Sequence, residues 1–248
     1  YHWGFSQFAI TGGDAMLKIS DLYIHQGNFH LSTDALMLDA GVHAVLGPSG
    51  AGKSTLLSVL AGFDRPLQGR ILWRGTDITG LAPAQRPVAM LFQDNNLFPH
   101  LTIYRNIALA LTHKSRITAD QHDRILQVLD RVNLTGMAER KPAQLSGGQI
   151  SRAALARVML QVKPIVLLDE PFAALGPALK QEMLDLLADV VMQSGATVLM
   201  VTHDPNDALR IAPKTILVAD HKITGAFDTR EVLQNPPPAL AAYLTTGG

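Results

Sequence analysis

The stretch Gly47-Pro48-Ser49-Gly50-Ala51-Gly52-Lys53-Ser54-Thr55 constrains the fold of this chain more than any other. It fits G-x-x-x-x-G-K-[ST], a loop in which glycines let the backbone curl until successive N–H groups face one phosphate. Val42–Leu46 before it reads as a buried strand, and Ser54–Ala61 after it reads as a helix. The N-terminal dipole of that helix faces the phosphates. Lys53 supplies a point charge for β- and γ-phosphates, and the Ser54 hydroxyl is placed to ligate Mg²⁺. A strand, a tight loop and a helix in this order predict an α/β core with a parallel sheet.

The remaining pattern supports that reading. Strands are expected at Leu17–Leu22, Asn28–Leu38, Ile71–Trp73, Val88–Leu91, Ile165–Leu168, Thr197–Val201, Thr215–Ala219 and Lys222–Ala226. Helices are expected at Pro177–Gln193 and Pro205–Ile211, between the later strands. From about residue 94 to 162 three- and four-residue apolar steps replace the β pattern. Helices are expected there at Ile103–Leu111, Asp120–Val132 and Ser151–Leu160. The fold class is therefore α/β, a mixed and largely parallel sheet with an inserted helical subdomain. Residues 16–235 form one domain in this reading. Tyr1–Ala15 is left unassigned, and Pro236-Pro237-Pro238 is expected to end the regular structure, leaving 236–248 as a tail.

Composition narrows the class. Lys and Arg balance Asp and Glu at 21 each, so no basic field recruits nucleic acid. There is no cysteine, hence no disulfide framework and no thiolate metal site. No apolar run approaches the roughly 18–20 residues that span a bilayer.

Other residues carry chemistry. Pro164–Leu168 is an apolar strand ending in Asp169 and Glu170. A carboxylate at a strand end beside a phosphate loop can hold Mg²⁺, which suits Asp169. Glu170, one residue on, can accept a proton from an attacking water. Leu145-Ser146-Gly147-Gly148-Gln149 puts a serine and two glycines at a helix start, a second anion-binding arrangement. In a chain that already has a phosphate loop, a second cradle makes sense if it serves the nucleotide of another copy. Gln93 follows one strand and could contact Mg²⁺ and the nucleophilic water. His203 follows another and could touch the γ-phosphate. Tyr23 is the expected adenine platform, with Phe29 as its competitor.

Taken together, the phosphate loop, Gln93, Leu145–Gln149, Asp169-Glu170 and His203 resemble the motifs of the ATP-binding cassette (ABC) ATPases, in order and rough spacing, from Leu17 to about Gly225. The resemblance implies that two copies pack head to tail and sandwich two ATP molecules. Each ATP would lie between one copy's phosphate loop and the other's Ser146, Gly147, Gly148 and Gln149. It implies that Gln93 is the lid glutamine, Glu170 the general base and His203 the switch histidine, with ATP and Mg²⁺ bound. Two departures stand out. The family usually has Ser-Ala-Leu-Asp where this chain has Ala173-Ala174-Leu175-Gly176. It usually has Arg-Gln-Arg where this chain has Ile150-Ser151-Arg152.

Arg86–Thr102 is similar to the corresponding segment of bacterial importer ATPases, those for thiamine or thiamine pyrophosphate first, with iron(III) and sulfate importers as alternatives. That branch implies transmembrane permease subunits and, through them, a periplasmic solute-binding protein. It also implies a peripheral position on the cytoplasmic face of the inner membrane. ABC ATPases of DNA repair carry long coiled coils, and those of translation carry two cassettes. This chain has neither, and no nucleic-acid partner is expected.

Overall fold

The structure is a computed structural model and describes residues 16–246 except 95 and 115. The unassigned stretch Tyr1–Ala15 lies outside the described residues, as do Gly247 and Gly248.

Alternation makes the first strand. In β1 (Leu17–Gln26) Leu17, Ile19, Leu22 and Ile24 are buried, while Lys18, Asp21 and His25 face out. The parity changes between Ile19 and Leu22 because the register against β4 (Gln68–Trp73) shifts between Ser20 and Tyr23. Such a bulge swaps which side chains face the core. β1 pairs antiparallel with β2 (Phe29–Leu38) in a hairpin closed by Gln26 and Phe29. β5 (Thr76–Asp77) adds a short edge strand to β4.

The parallel part has a different pattern. β3 (Gly41–Leu46) and β8 (Thr197–Val201) are buried almost throughout. Both faces of a parallel strand are covered, so its sequence is a continuous apolar run. β3 lies between β8 and β9 (Lys214–Ala219), parallel to both. β7 (Ile165–Asp169) lies between β8 and β6 (Val88–Leu91), again parallel to both. β10 (Lys222–Asp228) returns antiparallel to β9 and meets β2. The described strands form one mixed sheet in the order β5-β4-β1-β2-β10-β9-β3-β8-β7-β6.

This order decides where the chemistry can sit. β3, β8, β7 and β6 are neighbours with a common direction, so the loops leaving their C-terminal ends emerge along one edge. Open α/β sheets bind ligands along that edge.

Among the described residues, three apolar clusters hold the fold. One lies between the β1, β2 and β4 layer and α1 (Lys53–Ala61). A second packs α5 (Pro177–Ser194) and α6 (Pro205–Ile211) on the parallel strands. The third joins α2 (Ile103–Ala108), α3 (Ala119–Arg131) and α4 (Gly147–Leu160). α3 has an apolar stripe of Ile125, Val128 and Leu129 and a capping box between Thr118 and Gln121.

Several boundaries move from their sequence expectation. α2 ends at Ala108 rather than Leu111. α4 begins at Gly147 rather than Ser151. The capping box between Ser146 and Gln149 starts the helix before its apolar periodicity begins. The chain also does not lose regular structure at the proline triplet. α7 (Thr229–Gln234) precedes it, and α8 (Pro238–Thr246) starts within it. A proline at the first helical position has no N–H to lose and already has the helical φ. Pro238 therefore opens a helix rather than closing the fold. Among the described residues no helix is long and apolar enough to cross a membrane.

Candidate functional site

The loop between β3 and α1 is shaped by close backbone approach. A Cβ on Gly47 would lie 1.9 Å from the Val218 carbonyl oxygen of β9. Gly52, the N-cap of α1, has φ 103°, and a Cβ there would lie 2.6 Å from the Phe29 ring. Neither position can carry a side chain without moving its neighbours.

Lys53 is buried, and its Nζ donates to the carbonyls of Gly47 at 2.7 Å and Pro48 at 2.8 Å. The ammonium is thus folded back over the loop it follows. Burial lowers its pKa, while Glu170 and Asp169 pull it up again. Their opposite charge keeps a partly desolvated cation in place.

Ser54 bonds to the Asp169 carboxylate. Burial raises the Asp169 pKa most, with the Ser54 bond opposing it. Asp169 ends β7, at the level of Val201 of β8. Glu170 follows with φ 46°, in the left-handed region that a non-glycine residue seldom enters. Such a conformation costs on the order of 1–3 kcal/mol and persists where the surroundings over-determine it. Here the Glu170 N–H donates to Val201 O at 3.1 Å. Its Oε2 lies 3.4 Å from His203 Nδ1.

These groups open into one cleft of about 650 Å³. Gly47, Ser49, Gly50, Gly52, Lys53, Ser54 and Thr55 form one side, and Gln93, Glu170 and His203 the other. Gln26 and Phe29 enter from the tip of the β1–β2 hairpin, and Tyr243 enters from α8. Asp169 sits behind Ser54, and Pro48 and Ala51 contribute to the loop without lining the cleft. The set combines backbone donors, an ammonium, hard oxygen ligands, a carboxylate and an imidazole. It suits a polyphosphate and the activation of a water beside it.

Two expected groups lie elsewhere. Tyr23 is in mid-strand opposite Ser32, near the rings of His25 and His30, and does not line the cleft. Phe29 does, because it starts β2 at the hairpin end that approaches Gly52. Of the two aromatics expected from sequence, Phe29 lines the cleft and Tyr23 does not. Ser146, Gly147, Gly148 and Gln149 form the first turn of α4 and also lie outside the cleft. Ser146 and Gly147 are exposed, while Gly148 is buried where a Cβ would meet Leu179 at 2.1 Å. That first turn therefore shares no cleft with its own chain's phosphate loop.

Sequence reasoning misses Gln26 and Tyr243. Gln26 carries no local signal. For Tyr243 the sequence offers only a helix start at Pro238, which places the residue on a helix but not in the cleft.

The sequence profile described as "ABC transporter" matches residues 35–173, over half of the chain. Among relatives, "Thiamine import ATP-binding protein ThiQ" of Cereibacter sphaeroides is 54% identical over 229 residues, covering 92% of this chain and 99% of the relative. The protein of the same name from a Ruegeria species gives the same figures. One from a Chelativorans species is 42% identical over 93% of this chain and 94% of its own length. Among solved structures, the "Dimeric Structure of MJ0796, a Bacterial ABC Transporter Cassette" is similar with a TM-score of 0.74 and 28% identity, covering 87% of this chain and 99% of that one. A post-hydrolysis dimer of the same cassette bound to ADP and Pi gives the same values.

Proposed function

The chain belongs to the ABC transporter family, and from that premise we infer that it is the ATP-hydrolysing subunit of a thiamine importer. The observation that carries the reading is the convergence of Lys53, Ser54, Gln93, Glu170 and His203 on one cleft, in a chain 54% identical over most of its length to thiamine import ATP-binding proteins.

In this reading ATP lies with its phosphates in the β3–α1 loop and its adenine against Phe29. Lys53 neutralises the β- and γ-phosphates. Ser54, Gln93 and Asp169 would hold a magnesium ion; the Ser54–Asp169 bond already brings a hydroxyl and a carboxylate together, the hard oxygen donors that ion prefers. When bound, the ion supplies charge neutralisation at the phosphates. Glu170 takes the proton of the attacking water, and His203 steadies the γ-phosphate. The first turn of α4 of a second copy, with Ser146, Gly147, Gly148 and Gln149, closes each site. The position of that turn outside its own chain's cleft supports head-to-tail pairing. Closure of the two copies drives a membrane-spanning permease, to which a periplasmic protein delivers the solute. The subunit itself sits at the cytoplasmic face of the membrane, held through the permease.

The test is uptake of labelled thiamine by a strain that cannot make it. Deletion of the gene should abolish uptake, and the wild-type gene should restore it. Glu170→Gln should not, and in the purified chain it should lower ATP turnover by roughly 10²-fold or more while ATP still binds. Lys53→Ala should weaken ATP binding itself. Undiminished uptake in the deletion strain would reject thiamine as the solute.

A further inference from the structure

The loop that carries His203 is held by more than its own strand and helix. On one side Lys180, in the first turns of α5, bonds Asp204 Oδ2 and Asp207 Oδ1, each at 2.8 Å. Thr202 donates to Asp207 at 2.6 Å and accepts from the Asp204 N–H at 3.1 Å. The residues on both flanks of His203 are therefore fixed. His203 itself is not enclosed, since its side chain is 57% exposed.

Besides Glu170 at its ring, His203 is reached at its backbone by α8. The Tyr243 hydroxyl donates to the His203 carbonyl at 2.6 Å. Tyr243 also lines the same cleft as Glu170 and His203. Leu240, one turn earlier on α8, is completely buried, and Ala239 and Leu244 pack on the same apolar cluster as α5 and α6. α8 is thus packed onto the fold through these side chains. Burial and the nearby carboxylates of Glu170 and Asp204 push the phenol's pKa upward. The hydroxyl therefore stays protonated, and stays a donor, at any pH where the carboxylates work.

We propose that Tyr243 is a positioning residue for hydrolysis: its hydroxyl fixes the His203 peptide and so aims the imidazole between Glu170 and the γ-phosphate. The carbonyl and side chain of one residue share its Cα, so both move when the N–Cα bond turns, and holding the carbonyl limits that rotation. Releasing the carbonyl lets the imidazole swing away from Glu170. The proposal rests on the ATPase reading above and assigns α8 a part in it.

The test uses the full chain and ATP. Tyr243→Phe keeps the ring and its packing and removes only the donor. It should lower kcat by roughly threefold to tenfold, the net worth of one hydrogen bond, and leave KM for ATP unchanged. Its melting temperature should stay near wild type. In a His203→Ala background the same substitution should have no further effect on single-turnover hydrolysis, because the group it aims is gone. An unchanged kcat in Tyr243→Phe would overturn the proposal. So would a raised KM, which would mark a direct contact with nucleotide, or effects that multiply in the double variant. Absence of ATP hydrolysis by the wild-type chain would instead defeat the ATPase reading itself.

Discussion

Gly176 shows how one residue can matter through two effects that must be separated. It stands where relatives of the resembled family carry an aspartate, and it is the N-cap of α5, with φ −65° and ψ 157°. That conformation suits any residue, and a Cβ would meet nothing within 4 Å. Aspartate therefore fits, and it would also cap α5 better than glycine by a few tenths of a kcal/mol. If a carboxylate at this point spans two copies, Gly176→Asp should raise ATPase rate or its cooperativity. Gly176→Ser supplies the cap without the charge. Equal gains from serine and aspartate would assign the effect to capping. Glu170 makes a complementary point. Its candidacy as a general base is legible in an apolar strand ending in two carboxylates, but its left-handed φ is not. That conformation is accompanied by an N–H bond to Val201 on the neighbouring strand, a contact no local pattern contains.

At the scale of elements, the helix behind the phosphate loop has an anchor that its sequence does not announce. Arg86 is only 1% exposed. It donates to Val59 and Leu60, the last turn of α1, at 2.7 and 2.8 Å, and to Leu81 and Thr79 at 3.0 and 2.7 Å. A cation at a helix C-terminus satisfies carbonyls that the helix leaves open and complements its dipole. Arg86→Met should strip those carbonyls of their partner at a cost of about 3 kcal/mol. For a chain of this size that lowers the melting temperature by roughly 6–12 °C. Calorimetry of the purified chain checks it, and a change under about 2 °C would mean that water replaces the guanidinium at little cost. α8 is the other lesson at this scale. The proline triplet read as the end of structure because proline breaks helices, yet at a first helical position it does not.

For the whole molecule, the question is where a permease meets this subunit. The backbone at Phe98, Leu101 and Thr102 is held by a buried side chain, Asn106. It accepts from the Phe98 N–H at 2.7 Å and donates to the carbonyls of Phe98, Leu101 and Thr102 at 3.0–3.3 Å. Phe98 is nonetheless 46% exposed, so it is not interior packing. Leu101 is half-buried. A short permease helix docking here would cover both. Phe98→Ala with Leu101→Ala should leave the isolated chain folded, with its circular-dichroism melt within a few degrees of wild type, and should reduce co-purification with the permease. Undiminished co-purification would place the contact elsewhere. A lost melt would mean that the two side chains support the fold instead.

The sequence by itself determined the parts whose physics is local. A phosphate loop needs glycines between a strand and a helix, and buried parallel strands need apolar runs. Gln93, Asp169, Glu170 and His203 stand at or just past strand ends, where each alone reads only as a polar terminus, and it is their combination with the phosphate loop that is legible. Tertiary structure decided what depends on which strands become neighbours. The adjacency of β3, β8, β7 and β6 brought those four residues to one edge. The hairpin tip chose Phe29 over Tyr23, because only Phe29 reaches Gly52. Packing on the parallel layer turned the last stretch into α8 and carried Tyr243 to His203 across 40 residues of chain. Such contacts join segments far apart in sequence, and no periodicity encodes them.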